Sequence, residues 1–345
     1  MARKQHSKKQ PRDLAIDLSD AQELEHVFRI ACDNAVTVDQ PLVLISQIQR
    51  SGGTLLNKLF DGHPAVHSHP SELHIGHPTK GYWPELELEA GPDDWLAMLH
   101  ERWIGRRFEE GFGRRTLNRA GHPSLPFMLA PSLLDRIFRA VCAERPPRTA
   151  RDILDRYFTA FFNAWLDYRG LREEPKSCVT AFTPRLAWGE GRGRFWIDYP
   201  DGRLIACHRD PRAWYASASR QKEGYSDLDE ALALWSRGAE ETLAAKNERG
   251  DAVFVVAYED LVLEPERVTR ALARWLDIQW EPILLRPTFN RLPTVPNSSY
   301  RLIDWGISTQ SLDHWREVLS AGTVATIESV AMDLDQQVRA VRDSS

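Results

Sequence analysis

The chain has 345 residues, enough for one large domain or two modest ones with a proper core. Its 44 Lys and Arg stand against 49 Asp and Glu with both signs scattered, which argues against the basic face that duplex nucleic acid requires. No run reaches the roughly 20 apolar residues of a bilayer-spanning helix, so no transmembrane segment is expected.

The chain opens on a basic tail with Arg3, Lys4, Lys8, Lys9 and Arg12; no apolar stretch follows it, so a secretory signal is not expected. Cys32, Cys142, Cys178 and Cys207 lie far apart without a C-x-x-C pair, which suits neither a disulfide framework nor a zinc knuckle. A reducing, cytoplasmic setting is the expectation. Residues 1–38 read as this tail and a leading helix over 19–33, and residues 39–340 as a single domain.

Residues 41–46 form a short apolar run between a proline and a glycine loop, the pattern of a buried parallel strand. The loop 47–53 leads into a helix that stops near Gly62 and Pro64. From about 93 to 170 the spacing predicts a helical cover. Leu133, Leu134, Ile137, Phe138 and Val141 mark one helix face, and Thr149 with Asp152 can cap a second helix. The aromatic stripe of that second helix, from Tyr157 to Trp165, reads as core packing. Strands are predicted again at 177–180, 203–207 and 252–257, with a helix from Ser226 or Asp227 to about Arg249 between the last two. Further helices begin at Pro265 and after Ser311, the latter bearing Leu312, Trp315 and Leu319. Strands alternating with helices predict an α/β three-layer fold of the P-loop type, with a central parallel sheet flanked by helices and a helical insertion.

Arg50, Ser51, Gly52, Gly53 and Thr54 lie between the first strand and its helix, where successive backbone N–H groups form an anion site. The glycines let the main chain approach a phosphate, and the hydroxyls add donors. No Lys follows a Gly as in G-x-x-x-x-G-K-[ST], so the loop is not that of the nucleotide triphosphatases. Further on, Arg209 ends a predicted strand, and Ser217 follows it on the next helix.

These two segments resemble the signatures of the sulfotransferases that use 3′-phosphoadenosine-5′-phosphosulfate (PAPS). Asp61 to Pro64, Thr183 with Pro184, Tyr199 to Gly202, Tyr258 to Leu261 and Asn297 to Ser299 follow in that family's order. The resemblance covers roughly residues 40–335. It implies that Arg50, Ser51, Gly52, Gly53, Thr54 and Leu55 hold the phosphosulfate end of the donor, and that Arg209 and Ser217 hold its 3′-phosphate. It also implies sulfuryl transfer to an acceptor hydroxyl on a carbohydrate, glycolipid or other small molecule, with no metal. Arg50 would stabilise the charge that builds on the leaving phosphate; as Arg it cannot donate a proton at neutral pH.

The acceptor needs a base, and Glu72 with His74, two apart on an extended segment, can point the same way. This pair looks like the Glu-x-His of glycan sulfotransferases. His63, His67, His69, His74 and His77 also permit a metal site with Glu72, although no second ligand set is evident. Two departures from the family stand out: Gly53 where many members have Thr, and Phe182 where glycan-modifying members often have Lys. Arg185 and Lys176 are the candidates to supply that charge. Two other readings compete. One is a magnesium-ATP kinase, for which Asp260 would have to hold the metal although the loop Lys is missing. The other is a nucleotide-binding scaffold that lacks turnover. Oligomeric state is not legible.

Overall fold

The computed structural model describes residues 18–75, 82–113, 117–118, 121–173, 175–185, 188–220, 225–295 and 306–343. The apolar runs become strands β1 (Leu42–Gln47), β3 (Cys178–Phe182), β4 (Arg203–His208) and β5 (Val253–Ala257), and a fifth, β2 (Val66–Glu72), joins them. All pair in parallel, in the order β2-β3-β1-β4-β5, with Leu42 opposite Val179 and Leu44 opposite Leu204.

Parallel strands need crossovers, and the intervening helices bury both faces of the sheet. Because strand side chains alternate, Leu42, Leu44, Val179, Leu204 and Val255 feed one core while Val43, Ile45, Phe182, Ile205 and Val256 feed the other. The second core is closed by Leu55, Leu56, Leu59 and Phe60 of α2 (Gly53–Phe60) together with Val268 and Leu272 of the Pro265–Leu276 helix. The first core takes up the helical cover, which consists of α3 (Pro92–Leu99), α4 (Trp103–Glu110), α5 (Pro131–Glu144) and α6 (Ala150–Ala164). Thr149 caps α6 in a reciprocal box with Asp152. Tyr157, Phe158, Phe161 and Phe162 of α6 and the adjoining Trp165 are at most 1% exposed, so the aromatic stripe is core; each such side chain contributes roughly 1.5–3 kcal/mol by burial.

Three elements differ from the sequence expectation. β2 forms from a largely polar stretch, Val-His-Ser-His-Pro-Ser-Glu. The Gly189–Asp198 helix forms despite its three glycines. The segment after Ser311 makes only a short helix, Trp315–Val318; the long terminal helix is Ala321–Ala340, which starts afresh because Ser320 accepts a hydrogen bond from the Thr323 N–H.

Candidate functional site

The carboxyl ends of all five strands meet along one edge of the sheet. β1 lies between β3 and β4 while the chain leaves it for β2, so the loop after β1 stands at a topological switch point, where open α/β sheets bind ligands. That loop is tightly shaped: Arg50 has φ 77° and Gly52 has φ 98°. A Cβ on Gly52 would come within 2.4 Å of the Tyr258 ring, so only glycine fits. Gly52 offers no side-chain cap to α2, and the Gln47 side chain accepts from the Gly53 N–H at 2.5 Å.

Arg209 follows β4 and is 4% exposed. It donates to the Arg50 carbonyl at 2.8 Å and to the Ser311 carbonyl at 3.0 Å, and its guanidinium lies 4.4 Å from the centre of the Tyr258 ring. Asp210 caps the next helix, Pro211–Ala218, by accepting from the N–H groups of Arg212 and Ala213. That helix carries Ser217, whose hydroxyl accepts from Arg50 Nε at 3.1 Å. The structure therefore brings Arg50, Arg209 and Ser217 together from segments more than 150 residues apart. Ser51 Oγ and Arg209 Nε are buried without a hydrogen-bond partner. Two arginines, an unpaired hydroxyl and a helix N-terminus suit an anionic phosphate ester. Thr54 and Leu55 lie in the first turn of α2.

Glu72 ends β2 opposite Phe182, after a register shift between Ser68 and Glu72. Glu72 Oε1 and His74 Nε2 lie 3.6 Å apart, and their side chains are 28% and 33% exposed. The two departures from the family pattern touch each other: a Cβ on Gly53 would come within 2.6 Å of the Phe182 ring. Thr183 Oγ1 beside it is buried without a partner. Arg185 donates to the Gln49 side chain at 3.1 Å and so lies against the loop. Lys176 instead donates to the Pro64 carbonyl at the opposite end of the strands.

The histidines do not converge. His63 bonds the Gln279 carbonyl, His67 the Tyr168 hydroxyl and His69 the Glu101 carboxylate, while His77 lies outside the described residues. Among the described residues no group of three His, Cys, Asp or Glu side chains is placed to hold a metal ion. Asp260 Oδ2 sits 3.5 Å from Arg342 and 3.9 Å from Arg267, which makes it an ion-pair partner. Residues 297–299 also lie outside the described residues. Sequence reading missed Gln47, the platform role of Tyr258, and Glu101. Each acts through a contact that only the fold creates; the Gly52–Tyr258 packing has no local signal beyond the glycine itself.

Residues 193–282, which include Arg209, Ser217 and Tyr258, match the Sulfotransferase family. Protein-tyrosine sulfotransferase 1 of Danio rerio is 33% identical over 92 residues, or 25% of this chain; the match spans about a quarter (26%) of that relative's length. Among solved structures, the sulfotransferase domain of the Synechococcus PCC 7002 olefin synthase superposes with a TM-score of 0.50 at 21% identity, covering 88% of this chain and 95% of that one. The sulfotransferase domain from the curacin biosynthetic pathway does so with 0.52 at 18%, covering 84% and 96%. The chain has the fold of these sulfotransferase domains, and its 193–282 segment matches the Sulfotransferase family model.

Proposed function

We propose that the protein transfers a sulfuryl group from PAPS to the hydroxyl of a carbohydrate, glycolipid or other small acceptor by in-line displacement. The observation that carries this reading is the joining of the half-buried Arg50 with the buried Ser217 and Arg209 into one cationic cradle. Ser51, Thr54 and the first-turn N–H groups of α2 hold the phosphosulfate end, and Arg209 with Ser217 holds the 3′-phosphate. The Gly53 N–H joins that set only once it is released from the Gln47 side chain. PAPS supplies an activated sulfuryl group whose bond to the phosphate oxygen breaks as the acceptor oxygen bonds to sulfur. Arg50 stabilises the charge that collects on the departing phosphate oxygen. Glu72 or His74 takes the hydroxyl proton, and adenosine 3′,5′-bisphosphate leaves. The helical cover borders the acceptor side, since Glu101 and Trp103 pack against the segment that holds Glu72 and His74.

A kinase reading is disfavoured by the arginine pairing of Asp260 and by the absence of a loop Lys. The test is calorimetric titration with adenosine 3′,5′-bisphosphate, adenosine 5′-monophosphate and magnesium ATP, followed by transfer from radiolabelled PAPS to hydroxyl acceptors. Selective binding of the bisphosphate without magnesium, together with label on an acceptor, is the expected result. Preference for magnesium ATP would sink the proposal. Binding without transfer would leave a scaffold.

A further inference from the structure

Glu101 lies between α3 and α4, and its side chain is 0% exposed. A buried carboxylate is strongly destabilising unless its oxygens are filled. Here Oε1 accepts from His69 Nε2 at 3.0 Å and from the Tyr157 hydroxyl at 2.9 Å. Oε2 accepts from the backbone N–H of His74 at 2.9 Å and from Trp103 Nε1 at 2.8 Å. These donors match the roughly four lone-pair sites of an ionised carboxylate. Burial pushes the Glu101 pKa up, but the neighbouring His69 and the hydrogen bonds outweigh it and hold the group below its ordinary value.

The network converges on the segment that holds Glu72. His69, also 0% exposed, turns its second ring nitrogen to the Ser71 carbonyl at 3.0 Å. Leu73 N–H donates to the Phe182 carbonyl at 2.8 Å. The backbone is thus pinned at Ser71, Leu73 and His74, while the side chains of Glu72 and His74 stay partly exposed and face each other. A carboxylate so buried is a poor source of stability even when its oxygens are filled, because apolar residues of the same volume often do as well. Its distinctive effect is to fix direction.

We propose that Glu101, acting with His69, is a positioning residue that holds Glu72 and His74 in the orientation needed to take the acceptor proton, without itself touching substrate. The inference rests on the sulfotransferase reading above. It also links the base to the helical cover, because Glu101, Trp103 and Tyr157 all belong to that region.

The test uses the full chain carrying Glu101→Gln, whose amide keeps the shape but cannot accept from all the donors. Transfer from radiolabelled PAPS is measured with glucose, N-acetylglucosamine and p-nitrophenol, taking the best of them as probe. The expected result is a kcat lower by about 10- to 100-fold, with KM for PAPS and bisphosphate affinity within about twofold of the parent. His69→Gln should show the same split. If Glu101→Gln does not fold, His69→Gln and Trp103→Phe decide by that criterion. An unchanged kcat overturns the inference, as does a parallel loss of bisphosphate affinity, which marks general loosening. A parent protein that neither binds adenosine 3′,5′-bisphosphate nor transfers to any of the probes overturns the sulfotransferase reading first; an active parent with unaffected variants overturns only the positioning role.

Discussion

Arg209 donates to two carbonyls, stacks on Tyr258 and keeps Nε without a partner, so it is both a strut of the loop and a cation aimed at a ligand. Arg209→Ala should weaken adenosine 3′,5′-bisphosphate binding by about 10- to 100-fold, the worth of a lost charge-assisted hydrogen bond; unchanged affinity by calorimetry would refute its assignment. Glu72 makes no contact with that cradle among the described hydrogen bonds. Glu72→Gln should therefore keep bisphosphate affinity while turnover falls by about 10²- to 10⁴-fold, the usual range for losing a general base. Full turnover in that variant would move the role to His74. Gly53 and Phe182 form a third residue-scale case, because the ring fills the space that a Cβ at position 53 needs. Gly53→Thr should cost about 1–3 kcal/mol of stability through overpacking. In a Phe182→Ala background that cost should shrink by at least about 0.5 kcal/mol, read from urea midpoints in a double-mutant cycle. Strict additivity would mean that the two positions are not coupled.

Among the elements, β1, β3, β4 and β5 are legible because each is buried on both faces and so carries a short, nearly continuous apolar run. β2 was not: His67 and His69 are buried there only because Tyr168 and Glu101 wait in the helical cover to receive them, and no local period encodes such partners. The same distinction separates the parts of the site. The glycine loop and the Arg209–Ser217 spacing are local patterns and could be read, whereas Glu101 meets His74 and Tyr157 only through the fold. The terminal helix Ala321–Ala340 depends on a similarly remote contact. Its Asp335 is 2% exposed and accepts from His208 at the end of β4 at 2.8 Å and from Arg339 at 2.6 Å. Asp335→Ala should cost about 1–3 kcal/mol, since it strands the buried His208 donor, whereas Arg339 is partly exposed and keeps Glu259. A urea midpoint corresponding to less than about 1 kcal/mol would show instead that Ile327, Ala331 and Val338 suffice to dock the helix.

For the molecule as a whole, a buried histidine and a largely buried carboxylate tie stability to pH in opposite directions. His67 stacks on Phe162, and burial lowers its pKa from 6.5 to about 3. Below pH 6.5 the unfolded chain takes up a proton that the folded chain refuses, so this group's contribution to stability falls as pH drops from about 6.5 toward 3. Asp155 accepts from the Tyr199 hydroxyl at 2.6 Å, yet burial raises its pKa from 3.8 to about 6. Between those values the folded chain keeps a proton that the unfolded chain has lost, so its contribution falls as pH rises from 3.8 toward 6. Each slope approaches about 1.4 kcal/mol per pH unit inside its window. Because other carboxylates titrate in the same range, the total curve conceals both slopes, and differences against single variants isolate them. The stability of the parent relative to His67→Gln should fall as pH is lowered from 6.5 to 5, whereas relative to Asp155→Asn it should rise over the range 6 to 5. Urea midpoints at several pH values give both differences. Parallel curves for His67→Gln would mean that the imidazole reaches water in the folded chain, and the packing of β2 against α6 would then be looser than its ring contacts indicate.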